Sequence, residues 1–241
     1  MSFDLLAPHY RWMEALLAGG KLQRCRTAFL KETRPCRRAL ILGEGNGRFL
    51  SALLGINPSM EVTCVDSSAG MLRQARARIL RHKRNAQQVS FVHADFLNWS
   101  PPAGGYDLII TNFFLDCFRT EQLEAIVAKL ARAASSDALW LVADFREPSA
   151  GPTRWRARCI LAIMYFFFRV VTRLPARWLT PPETILERHG FRLLERRISE
   201  WGLLHSDLWC LGNVDRPISN PSGRLREAPA LSLRREPLAA S

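Results

Sequence analysis

Three glycines and a handful of carboxylates carry most of the chemistry that can be read in this chain. In Ala39-Leu40-Ile41-Leu42-Gly43-Glu44-Gly45-Asn46-Gly47, apolar residues run straight into an alternating glycine turn, and a helix-compatible run follows from Arg48. That pattern is a buried strand feeding a tight turn. Without a Cβ, backbone at such a turn can bend sharply and press against a bound molecule. The N–H groups that open the next helix are then free to hold something polar or anionic. About 20 residues on, Glu61-Val62-Thr63-Cys64-Val65-Asp66 is a second apolar strand ending in a carboxylate. This is the distance at which a second-strand acid reaches a nucleotide ribose. Further acids follow at Asp95, Asp116 and Asp144, and His205 is a late titratable residue. Asp116, in Asn112-Phe113-Phe114-Leu115-Asp116-Cys117-Phe118, is placed either to take a proton from a substrate or to serve as a loop or helix-cap carboxylate.

The dinucleotide fingerprint G-x-G-x-x-G fails here because its third required position is Arg48, and no Tyr-x-x-x-Lys pair is present. The pattern Gly43-x-Gly45-x-Gly47 instead resembles motif I of the class I S-adenosylmethionine (SAM) dependent methyltransferases. Val89-Ser90-Phe91-Val92-His93-Ala94-Asp95-Phe96 resembles that family's third strand with its Asp-Phe pair, and Tyr106-Asp107-Leu108-Ile109-Ile110-Thr111-Asn112 its fourth. The resemblance covers roughly residues 38–144. It implies SAM as cofactor and S-adenosylhomocysteine as product. The implied cofactor site is Gly43, Glu44, Gly45, Asn46 and Gly47 at the methionine portion, and Asp66 and Ser67 at the ribose. Asp95 lies at the adenine amine, Met71 and Phe96 against the ring, and Asn112 and Phe113 at the end of the fourth strand. One position departs: the acid expected two residues before the first glycine is Ile41, and Glu44 stands in for part of its role.

Methyl transfer from a sulfonium is an in-line displacement, so the protein must chiefly align the reactants and exclude water. A base is needed only where the acceptor atom loses a proton. Asp116, His205 and Tyr10 are the catalytic candidates. A lone histidine is more often structural, and Asp144 is either an active-site acid or a strand end satisfied by backbone. Phe3-Asp4-Leu5-Leu6-Ala7-Pro8-His9-Tyr10 resembles the segment that closes over SAM in the ubiquinone/menaquinone C-methyltransferase group, with Phe3 in place of the usual tyrosine. Nucleic-acid amino-methyltransferases carry Asn-Pro-Pro-Tyr after the fourth strand, whereas Asn112 is followed by Phe113-Phe114-Leu115. That loop suits a small lipophilic or aromatic acceptor such as a quinone, phenol or lipid better than a flipped base. Residues 145–180 are too long for a simple connection. The apolar run from Arg158 to Val171 within them reads as a cap over the site, or as a lid that also touches a membrane surface. The alternative functions are a lipid-amine N-methyltransferase at the membrane surface, or a SAM-binding or membrane-associated module without catalysis.

The elements needed to hold these residues follow from the same pattern. Strands are predicted near 38–43, 61–66, 89–93, 106–112 and 138–144, with helices near 46–55, 68–83 and 120–134. Thr120 and Ser67 or Ser68 are candidate N-caps, Pro181-Pro182 opens a helix ending at Gly190, and closing strands fall at 191–198 and 207–211. The fold class is α/β: a doubly wound, mostly parallel seven-stranded sheet with an antiparallel C-terminal strand. Residues 1–212 read as one SAM-binding domain with a helical cap over 1–35, and 213–241 as a disordered tail. With 241 residues and 48% hydrophobic content, the chain can bury one full core. Six scattered cysteines without a C-x-x-C pair argue against a metal site or disulfide framework and for a reducing, cytoplasmic location, with peripheral membrane attachment as the variant. Met1–Tyr10 lacks the apolar run of a signal peptide, and Cys159 to Phe168 is too short to span a bilayer. The net charge of +12 gathers at Arg73, Arg76, Arg78, Arg81, Lys83 and Arg84, and again over 154–177. Neither cluster interleaves aromatics in a base-stacking pattern, so a nucleic-acid partner is not expected. Nothing in the sequence sets an oligomeric state.

Overall fold

The computed structural model describes residues 20–82, 86–146 and 182–212. Tyr10 and His9, most of the 145–180 segment, the basic pair Lys83 and Arg84, and the 213–241 tail lie outside the described residues. Five helices are described: α1 (Gly20–Arg26), α2 (Arg48–Ile56), α3 (Ala69–Arg81), α4 (Thr120–Ala133) and α5 (Glu183–Arg188). Seven strands, β1 (Arg38–Leu42), β2 (Glu61–Asp66), β3 (Val89–His93), β4 (Tyr106–Asn112), β5 (Ala134–Phe145), β6 (Phe191–Ser199) and β7 (Leu204–Leu211), form one sheet in the order β3-β2-β1-β4-β5-β7-β6. The first five in that order pair in parallel, and β7 pairs antiparallel with both β5 and β6.

β1 is buried on both faces, as a central parallel strand covered by helices must be. Ala39 and Ile41 face a cluster with Phe49, Leu50, Leu53 and Leu54 of α2 and Leu72 and Ile79 of α3. Leu40 and Leu42 face the opposite cluster, with Leu123, Ile126, Val127 and Leu130 of α4 and Ile185 and Leu186 of α5. The strand order reverses direction at β1, between β2 and β4, so the crevice beyond their carboxyl ends is where a ligand binds in such sheets.

Most expected elements appear, with shifts that have local causes. α2 starts at Arg48 rather than at residue 46, because Gly47 at φ 81° lies in the left-handed region and cannot continue a helix backward. Ser68 caps α3, its hydroxyl accepting the Met71 N–H at 3.2 Å. The N-cap of α4 is Arg119 rather than Thr120, and the Arg119 N–H donates to the Gln122 side chain at 3.2 Å. β5 begins at Ala134, directly after α4: Ala134 pairs with Tyr106, and a bulge between Tyr106 and Leu108 absorbs the polar Ser135-Ser136-Asp137 stretch. β7 begins at Leu204 rather than 207, which carries His205 into the sheet. Gly190, at φ 86°, ends α5 as expected. Among the described residues, no helix is long and apolar enough to cross a membrane.

Candidate active site

The glycine turn is shaped first by the protein's own packing. A Cβ on Gly43 would sit 2.7 Å from Cδ2 of Phe114, and one on Gly47 would sit 2.6 Å from Cα of Ala75. Gly43 therefore lets β1 meet the loop after β4, and Gly47 lets α2 close on α3. Inside the turn, Oε1 of Glu44 accepts the Leu50 N–H at 2.9 Å, near the start of α2, while Oε2 is buried without a hydrogen-bond partner. Burial raises the Glu44 carboxyl to about 7, against the Leu50 N–H and the Arg26 charge, which lower it. Asn46 is buried, and its carbonyl accepts Nε of Arg78 at 2.8 Å.

Asp66, buried at the end of β2, ties the turn to the next helix. Its two oxygens accept the Gly45 N–H at 3.0 Å and the Ser68 N–H at 2.9 Å. The carbonyl of the adjacent Ser67 lies 3.1 Å from Nε2 of His93. Asp95, partly exposed after β3, folds back to accept the Leu97 N–H at 3.0 Å. Phe96 is a core residue, with Trp99 and Phe114 rings at 5.8 and 6.4 Å. Met71 is buried at the first turn of α3. Nζ of Lys129 on α4 donates to the carbonyls of Phe96, Leu97 and Trp99 at 3.1, 2.7 and 3.0 Å and so holds the loop after β3 in shape. The sequence offered one sign of this role: a lysine interrupting the apolar face of α4.

At the end of β4, Asn112 is buried with neither Oδ1 nor Nδ2 hydrogen-bonded. Phe113 then takes φ 53°, a left-handed conformation that is uncommon outside glycine. Its N–H donates to the Ala143 carbonyl at 2.7 Å, and its ring lies between Phe145 (4.9 Å) and the guanidinium of the buried Arg26 (5.1 Å). α1 thereby covers this end of the sheet, with Cys25 packed on Ala143 and Leu204.

Asp116 follows in a single 3₁₀ turn, Leu115–Cys117, and its carboxyl hydrogen-bonds that of Asp144 near the end of β5. Both are buried, Asp144 at 2% exposure. Burial raises both groups; Asp116 raises Asp144 further, whereas the hydrogen bonds from Cys117 and Asp144 lower Asp116, so the shared proton rests on Asp144. Oδ1 of Asp144 has no partner. The Asp116 backbone also hydrogen-bonds the Asp144 carboxyl, so backbone meets only part of its demand. Directly across from it on β7 stands His205, 3% exposed, with both ring nitrogens unpartnered by hydrogen bonds. Burial lowers its pKa and keeps it neutral. Two residues on, Asp207 lies with Oδ2 3.6 Å from Nε2 of His205 and is clamped by Nε and Nη2 of Arg196 at 2.7 and 2.6 Å. Arg196 also bonds Glu183 at 2.8 Å.

The structure thus gathers Glu44, Asp66, Asn112, Phe113, Asp116 and His205 at the carboxyl edge of the sheet and adds Asp144, Asp207, Arg196 and Arg26, which sequence reasoning had not assembled. Four of the side chains with orphaned buried atoms, Glu44, Asn112, Asp144 and His205, lie at this edge. Buried polar groups are almost always satisfied, so four such side chains at one edge are groups that a bound partner could satisfy. SAM carries an ammonium, a carboxylate, ribose hydroxyls and an adenine, and the orphaned carboxylate and amide, beside backbone exposed by the glycine turn, fit such a donor and acceptor set.

Comparison with known proteins agrees with this geometry. Residues 39–137 match the family model of a methyltransferase domain. The ubiquinone/menaquinone biosynthesis C-methyltransferase of Pseudomonas paraeruginosa is 33% identical over 153 residues, covering 61% of this chain and 58% of that protein. The chain spans between 24% and 58% of the length of the curated relatives it matches. Among solved structures, a mitomycin 7-O-methyltransferase superposes with TM-score 0.65 at 17% identity, over 88% of this chain and 61% of that one. An N-methyltransferase from Bradyrhizobium japonicum, in complex with S-adenosylhomocysteine, superposes with TM-score 0.57 at 16% identity, over 86% and 89%. Residues 39–137, which hold the glycine turn, are thus similar in sequence to a methyltransferase domain, and the sheet that carries them has the fold of methyltransferase structures.

Proposed function

We propose that this chain transfers the methyl group of SAM to a small, lipophilic or aromatic acceptor of the quinone, phenol or lipid class. The observation that carries the reading is the convergence, at one edge of the sheet, of the glycine turn, orphaned polar atoms and the phenylalanines Phe113 and Phe114 beside the Asp116–Asp144 pair. SAM, when bound, supplies an electrophilic methyl group on sulfur. In this reading Glu44 meets the cationic end of its methionine portion, in place of the acid absent at Ile41, with Gly45, Asn46 and Gly47 offering backbone. Asp66 accepts from the ribose hydroxyls, held in place by the Gly45 and Ser68 N–H groups. Asp95 accepts from the adenine amine, Met71 and Phe96 form the wall behind the ring, and Ser67 borders the ribose. Asn112 and Phe113 lie between donor and acceptor, and Tyr10 closes over the pair. Most of the protein's work is alignment in a water-poor site.

Calorimetric titration with SAM, and separately with NADH, tests the cofactor assignment. Saturable SAM binding without NADH binding is expected, followed by transfer of labelled methyl to a quinol or phenol panel. NADH binding in place of SAM would overturn the reading.

A further inference from the structure

The two carboxyls and the imidazole at the acceptor end do more than line it. We propose that Asp144 and Asp116 are the proton acceptor for a neutral hydroxyl of the phenol class, with His205 and Asp207 as the route by which that proton leaves. The proposal rests on the methyl-transfer reading and deepens it by fixing the chemistry of the acceptor atom as oxygen.

Three observations meet here. The carboxyls hydrogen-bond each other in a buried setting, and the outer oxygen, Oδ1 of Asp144, has no partner. The antiparallel register sets His205 directly opposite Asp144 on the same face of the sheet, where cross-strand Cβ atoms lie about 5 Å apart. Behind the imidazole, Asp207 is 1% exposed and is held by two hydrogen bonds from Arg196, a fixed anion placed to stabilise a transient imidazolium. A neutral hydroxyl suits this arrangement: it donates to Oδ1 of Asp144 and supplies the missing partner there. A carboxylate acceptor would be repelled by the pair, by Asp207 and by Glu183. The other titratable groups around the site are Cys117, whose Sγ lies 3.5 Å from Oδ1 of Asp116, Cys25 of α1, and the cations Arg146, Arg26 and Arg196. Both thiols are pushed up by burial and stay protonated.

The step balances. The acceptor oxygen forms its bond to the methyl carbon, and the sulfur–methyl bond breaks with its electron pair left on sulfur, turning a sulfonium into a neutral thioether. The O–H bond breaks with its proton going to the unpartnered oxygen of Asp144. The carboxyl pair, which began with one proton, then holds two and passes one to His205 beside Asp207.

The full chain can be tested with phenol, 4-nitrophenol and benzoate as probes at mildly alkaline pH, using labelled SAM. Infrared difference spectra, wild type minus each variant, are recorded in parallel at neutral pH, so that the buried Glu44 carboxyl, itself raised to about 7, cancels. The expected result is a carboxylic-acid band of the pair in the wild type that is lost in both Asp144→Asn and Asp116→Asn. Asp144→Asn should slow methylation of phenol about 100-fold or more, as for loss of a general base. It should slow that of the already ionised 4-nitrophenol far less, with SAM affinity unchanged. His205→Gln should slow phenol and enlarge the solvent isotope effect, which a merely structural histidine would not do. A wild type without the band, equal losses on the two phenols, or a SAM-binding wild type that methylates benzoate or none of the three overturns the proposal. Absence of SAM binding is separable: it refutes the methyl-transfer reading itself, while the band still reports whether the carboxyls share a proton.

Discussion

Glu44→Gln separates what the buried carboxyl costs the fold from what it does for the cofactor. The Glu44 carboxyl is raised by burial from 4.5 to about 7, which corresponds to roughly 3 kcal/mol at ~1.4 kcal/mol per pH unit. Because the folded pKa is the higher one, the folded chain keeps a proton that the unfolded chain has already lost between 4.5 and about 7. Stability therefore falls as pH rises through that window, and the full penalty stands above it. Glutamine preserves an oxygen for the Leu50 N–H, now 2.9 Å from Oε1, and carries no charge. Urea unfolding should find the variant close to wild type at about pH 5 and more stable by up to about 3 kcal/mol at about pH 9. SAM should bind the variant about 10- to 100-fold more weakly, the loss of one charge-assisted hydrogen bond. Wild-type binding should release a proton near neutral pH, read by calorimetry in buffers of different ionisation enthalpy. If the stability difference between the two proteins is the same at both pH values, the burial argument is wrong. If proton release persists in the variant, Glu44 does not meet the cationic end of the cofactor.

Three further outcomes follow from the same geometry. Asp66→Ala should weaken SAM by roughly 2–4 kcal/mol through lost ribose contacts and cost about 1–3 kcal/mol of stability for each N–H it strands, those of Gly45 and Ser68; unchanged SAM affinity would remove the ribose assignment. Gly47→Ala forces a Cβ to 2.6 Å from Cα of Ala75 at φ 81°, so at least about 2 kcal/mol of stability should go, and an unchanged melting temperature would show that α2 and α3 separate freely. Arg196→Met leaves the 1% exposed Asp207 carboxylate without its clamp, at about 3–5 kcal/mol by chemical denaturation; adding Asp207→Asn should recover much of it, and failure to do so would place the loss in packing instead.

The central sheet was legible because each of its strands carries its own signal. Glu61–Asp66, Val89–His93 and Tyr106–Asn112 stand where their apolar runs put them, and Gly43, Gly45 and Gly47 mark the turn by composition. Where the reading slipped, a long-range term decided. Ser135-Ser136-Asp137 has the composition of a turn, yet it is strand, because Ala134 finds Tyr106 across the sheet. Lys129 carries no motif in the sequence, because its role is set by the carbonyls of Phe96, Leu97 and Trp99, some 30 residues away in the chain.

The acid–histidine cluster shows most clearly why the rest of the site stayed hidden. Asp144 and His205 are 61 residues apart and carry no local motif; what joins them is the direction of β7. β7 is inserted antiparallel between β5 and β6, so it presents its first residues, His205 and Asp207 among them, at the edge where the parallel strands end. Inserted parallel, it would have delivered Leu211 there and left Asp116 and Asp144 without a histidine. Alternation then puts His205, Asp207 and Trp209 on one face, and the register with β6 brings Arg196 to Asp207. The orientation of that single strand is what turns two buried carboxyls at a ligand edge into a connected path for a proton.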